Sequence, residues 1–101
     1  MTMTAHGVAK LIEECGELTQ VLAKKLAYWH TDEHPDGAGS LNRRIEEEMG
    51  DVVAAIAFVV KYLPGLSAEA VDARAQAKFQ LFEKWESDPD NNDLAIDRKT
   101  P

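Results

Sequence analysis

This chain has little cysteine, little positive charge and no long apolar run. A single cysteine, Cys15, in 101 residues excludes an intrachain disulfide. It sits among apolar neighbours at helical spacing and reads as a small core residue, not a reactive thiol. Eleven basic residues stand against 18 acidic ones, for a formal charge of −7. That balance argues against a generic binder of nucleic acid or of an anionic membrane. The longest apolar stretch, Val52 to Val60, is too short to span a bilayer. The opening residues lack the charged start and apolar segment of a secretion leader. The expectation is a cytoplasmic protein with one domain, whose small size leaves it thinly stabilised on its own.

Helical periodicity is what the chain has in abundance. Apolar residues at Val8, Leu11, Ile12, Cys15, Leu18, Leu22 and Leu26 predict a first helix from about Ala5 to Trp29. Residues 31–40, with Pro35, Gly37 and Gly39, predict a loop, and Ser40 is placed to cap the next helix. That second helix is expected from Leu41 to Tyr62 or Leu63, ended by Pro64 and Gly65. Its second half has no polar side, so it is expected to be buried all round. Three helices can hardly enclose one of their own, which points to cover from a second subunit. Ser67 caps a third helix, on which Val71, Ala75, Phe79, Phe82 and Trp85 form an apolar stripe. The fold class is therefore all-α: a three-helix domain over residues 1–87 and a flexible tail over 88–101.

Two acidic clusters interrupt this pattern: Glu13-Glu14-Cys15-Gly16-Glu17 and Glu46-Glu47-Glu48-Met49-Gly50-Asp51. Glu14 with Glu17, and Glu48 with Asp51, are spaced i and i+3 and so share a helix face. On a wheel of about 100° per residue, Glu48 and Asp51 are bracketed by Val52, Val59, Tyr62 and Phe58, and Glu14 lies between Leu18 and Val21. A solvated face is not bracketed in this way. Bare carboxylates brought this close repel, and ligation is the common remedy. Glu14, Glu17, Glu48 and Asp51 are therefore read as metal ligands. Glu13 is either an outer carboxylate that acts as base for a water or a plain solvated glutamate; Glu46 and Glu47 read as solvated.

All four ligands are oxygen donors, which select Mg²⁺ or Mn²⁺. No histidine stands three residues after a glutamate of either pair, as di-iron carboxylate bundles need, and no EF-hand loop is present. Such ions usually bridge protein to phosphate oxygens, so phosphoanhydride cleavage by a metal-activated water is the natural chemistry.

The two motifs, Lys10-Leu-Ile-Glu-Glu-Cys-Gly-Glu-Leu18 and Glu47-Glu-Met-Gly-Asp-Val-Val53, resemble those of the MazG-like all-α nucleoside triphosphate pyrophosphohydrolases, in the compact form found in bacteriophage and bacterial genomes. The resemblance spans about residues 8 to 85. It implies Mg²⁺-dependent cleavage of a (deoxy)nucleoside triphosphate to the monophosphate and pyrophosphate. It also implies a homodimer or homotetramer whose subunits share a site, with ligands at Glu14, Glu17, Glu48 and Asp51 and with Glu13 in the motif. Thirty residues separate Glu17 from Glu48, a long gap for the family that the 31–40 loop absorbs. Many relatives follow a lysine on the last helix with an arginine; here Lys78 is present and the arginine is not. Lys78 and Lys61 are the candidate phosphate contacts, with Arg74 and Lys84 as substitutes and a solvated cation as the competing reading. Trp29 and His30, beside the loop, are candidate base contacts; Trp85 reads as core. His30, His34, Asp32 and Asp36 read as solvated loop more readily than as a minor metal site.

Three rival readings remain. A phosphoribosyl-ATP pyrophosphohydrolase would share the carboxylates but need a different pocket. A non-catalytic helical oligomer would keep a degenerate site, against which the intact carboxylate set argues. A prenyl-diphosphate site needs a larger bundle than this chain can build.

Overall fold

The computed structural model describes residues 5–88, and the expected tail lies outside the described residues apart from Asp88. Three helices account for the regular structure: α1 (Val8–Ala27), α2 (Leu41–Tyr62) and α3 (Ala68–Ser87). No strand occurs among the described residues. The chain divides into two compact units after Leu66, with α1 and α2 in the first and α3 in the second.

In the first unit α1 packs against α2. Three meetings fix their sense. Gly7 lies against Phe58 and Val59, Glu14 and Glu17 meet Glu48, and Lys24 and Arg44 share Asp36. One helix ascends while the other descends, so the pair is an antiparallel hairpin. Its core is small: Val21, Leu41, Ala55 and Val59 are buried.

The first helix is shorter at both ends than its periodicity predicts. Ala5, His6 and Gly7 all have positive φ (44°, 62° and 88°), so the chain enters from a left-handed turn and the helix starts at Val8. A non-glycine residue there is strained, but Gly7 is not. A side chain at Gly7 would also strike the Phe58 ring. At the other end Tyr28 leaves helical geometry, and its ring meets His34 edge-on at 4.7 Å. Trp29 and His30 therefore belong to the loop.

The loop after α1 is held by its own side chains. Asp32 accepts from the Ser40 hydroxyl and, at 2.8 Å, from the Asn42 amide, while its carbonyl accepts from the Leu41 amide at 2.7 Å. Ser40 caps α2 as expected, accepting from the Arg43 amide at 3.1 Å. Two α2 features meet the expectation at its end: Leu63 closes the helix onto the Val59 carbonyl, and Gly65 takes a positive φ of 90°.

The expected all-round burial of α2 is not met within this chain. Val53 stays 65 % exposed, and Met49, Ile56 and Phe58 are also exposed. Cys15, expected in the core, is exposed as well. Within the first unit the reason is geometric: α1, the other helix there, covers one side of α2 only. In the second unit α3 is capped by Ser67, which accepts from the Ala70 amide at 3.1 Å, and it buries no residue. Its stripe, Trp85 included, is exposed, with Phe79 at 62 %. Periodicity marks these apolar positions without saying what covers them. No described helix is long and apolar enough to cross a membrane.

Candidate metal centre

Helical spacing aims Glu14 and Glu17 from α1, and Glu48 from α2, at one place. Each offers a carboxylate oxygen, and these oxygens lie within 4.8 Å of one another. One oxygen of Glu14 and one of Glu48, Oε1 in both cases, is buried without a hydrogen-bond partner. Buried polar atoms in native proteins are nearly always satisfied, so two orphans in one cluster point to a missing positive partner. Burial pushes the Glu14 carboxyl above its ordinary range, and the charges of Glu17 and Asp51 push it further. Burial does the same to Glu48, again with Glu17 and Asp51 adding to it. An arrangement that penalises its own ionisation fits a divalent ion that favours oxygen donors.

Asp51 stands at the margin of this group. Its oxygens fall outside the close triad, yet its charge acts on both Glu14 and Glu48. Glu13 pairs with Lys10 at 2.8 Å, on the exposed flank of Glu14. Glu47 pairs loosely with Arg43 at 3.5 Å.

A cavity of about 220 Å³ opens beside the triad. Glu17, Glu48 and Glu47 line it with acid, and Gln20, Val21, Lys24 and Arg44 complete it. Sequence reasoning missed this second group. The signal was present: Lys24 follows Glu17 by seven residues and Arg44 precedes Glu48 by four, so each shares its carboxylate's helix face. A larger cavity of about 390 Å³ lies in the loop, but Asp32 there is occupied as a helix cap.

The other candidates lie elsewhere. Lys61 sits over the Tyr62 ring and Lys25 over the Trp29 ring, while His30 is exposed; none of Lys61, Trp29 or His30 lines the cavity beside the triad. Lys78 is on α3 in the second unit, 5.6 Å from the Phe82 ring centre.

No curated protein and no solved structure matches the chain significantly. The sequence does match the MazG nucleotide pyrophosphohydrolase domain, over residues 4–84. That span takes in both acidic motifs, both helices of the carboxylate site and nearly all of α3. The chain thus belongs to the MazG family and is a hydrolase of nucleotide phosphoanhydride bonds.

Proposed function

We propose that the protein is a Mg²⁺-dependent nucleoside triphosphate pyrophosphohydrolase that releases a nucleoside monophosphate and pyrophosphate. Mn²⁺ suits the same ligands. The observation that carries this reading is the pair of orphaned buried oxygens on Glu14 and Glu48, beside a cavity that also holds two cationic side chains. Glu14, Glu17 and Glu48 would hold the ion, with Asp51 completing the set. When bound, the ion neutralises phosphate charge and lowers the pKa of water. The chain's own residues do the rest. The triad would set where the ion sits, and Val21 gives the adjoining cavity one apolar lining residue. Glu13, adjacent to Glu14 and oriented by Lys10, is the candidate acceptor of the proton from the attacking water.

The exposed apolar residues of α1 and α2, such as Ile12 and Val53, support a homodimer or homotetramer in which a second copy covers them. The test is pyrophosphate release across the common and damaged (d)NTPs and phosphoribosyl-ATP, with Mg²⁺, with Mn²⁺ and with chelator. Metal-dependent formation of monophosphate and pyrophosphate supports the reading. Release of orthophosphate, or activity indifferent to chelator, would end it, and preference for phosphoribosyl-ATP would transfer the protein to that rival reading.

A further inference from the structure

Asp36, a loop residue, is bonded to both cations of the cavity. Its Oδ2 accepts from Lys24 Nζ at 2.9 Å, and its two oxygens accept from Arg44 Nη1 and Nη2 at 3.2 and 3.1 Å. The Ala38 amide adds a bond to Oδ1 at 3.0 Å. Lys24 closes α1 and Arg44 opens α2, so one carboxylate ties together the two helices at this end.

We propose that Asp36 is a positioning residue that holds Lys24 and Arg44 as an anion-binding wall for the part of the substrate's phosphate chain beyond the carboxylate triad. This rests on the nucleotide reading above and names the phosphate contacts for it. With one carboxylate to two cations, the Lys24–Asp36–Arg44 cluster by itself is net positive, on a cavity that Glu17, Glu47 and Glu48 also line. Arg44 gives Asp36 only two of its N–H donors and Lys24 only one, so both retain donors for an anion. A flexible lysine and arginine would lose side-chain entropy on gripping a phosphate, and prior fixation removes that cost. The same wall supplies the polar contact that Lys61, Trp29 and His30 do not make in this cavity.

The wall binds the substrate alike before and during reaction, so its loss acts on KM and spares kcat. Asp36→Asn and Arg44→Gln are each expected to raise KM about 10-fold or more, with Asp36→Glu and Arg44→Lys recovering part of it. Binding of inorganic tripolyphosphate with Mg²⁺, followed by calorimetry, is expected to weaken in parallel. A residue that only braced the loop would lower the melting temperature and leave KM of the folded protein unchanged. If Asp36→Asn fails to fold, Lys24→Gln carries the same test from a helix surface. Unchanged KM and unchanged tripolyphosphate affinity in folded variants would overturn the proposal. The nucleotide reading fails separately: if no nucleotide is turned over, tripolyphosphate still judges the wall. Binding by the native protein that Arg44→Gln weakens then supports it, and no binding by the native protein rejects it.

Discussion

Glu14 on α1 and Glu48 on α2 reach the same spot from different helices, and each buries a carboxylate oxygen that no hydrogen bond satisfies. Glu17 and Asp51 repel both of them, so the hairpin holds the group together against its electrostatics. Glu14→Gln or Glu48→Gln should lower turnover about 100-fold or more. The same variants should melt at a higher temperature than the parent in chelator, because a neutral amide removes the repulsion. They should also lose the thermal shift that Mg²⁺ gives the parent. A variant with normal turnover would remove that residue from the ligand set.

The protonation of these groups sets a second expectation. Glu14 and Glu48 have folded-state pKa values raised above the ordinary 4.5. The folded chain therefore binds those protons more tightly than the unfolded chain. Without metal, the stability they contribute should be present below the ordinary 4.5 and be lost as pH rises through the raised values. Asp32 and Asp36 act oppositely. Hydrogen bonds, from Ser40 and from Lys24 respectively, hold them below the ordinary 3.8, so their contribution is present above that value and lost as pH falls through their lowered ones. With saturating Mg²⁺ the glutamates must stay ionised, so the slope across the raised range should reverse. Melting curves with and without the ion check this; a metal-free curve flat across that range would contradict it.

Gly7 is tightly constrained. Its φ is 88°, and a Cβ there would lie 2.5 Å from a Phe58 ring carbon. Gly7→Ala should cost about 1–3 kcal/mol in chemical denaturation, from backbone strain and overpacking together. Adding Phe58→Ala should not restore the parent stability, since it relieves the clash and leaves the strain.

Self-association is the remaining expectation. Val53 is 65 % exposed in the middle of an otherwise apolar helix half. Sedimentation of the parent should show a dimer or tetramer, and Val53→Asp should shift it towards monomer with loss of activity. A monomeric, active parent would refute the oligomeric site.

Much of the fold and of the carboxylate site was legible in the sequence, and the rest failed for identifiable reasons. The span of α2 followed from Ser40 at one end and Pro64 at the other. The meeting of Glu14, Glu17 and Glu48 followed from i, i+3 spacing on two apolar-flanked helices. The ends of α1 did not, because neither the left-handed geometry at Ala5 and His6 nor the Tyr28–His34 ring contact leaves a mark in apolar periodicity. The Lys24–Asp36–Arg44 link was hidden because it joins three separate segments, and a loop rich in Gly, Pro and Asp reads as solvated when its anchors are far away in sequence. Cys15 and the stripe of α3 show the limit of periodicity, which marks an apolar face without saying whether one chain covers it.

The loop has a further consequence for engineering. Asp32 pins its first half to the start of α2, and Asp36 pins its middle to both helices. The Gly37 and Ala38 amides bond back to the His34 carbonyl and to Asp36, which leaves the peptide before Gly39 as the slack point, with open space around Gly39 and a positive φ of 96°. Extra chain grafted there would enlarge a closed ring whose ends are already fastened, at only about 0.6 kcal/mol for each doubling of length. A peptide tag or a reporter domain inserted between Ala38 and Gly39 should leave the carboxylate site undisturbed, giving a handle on the protein that neither terminus has to provide.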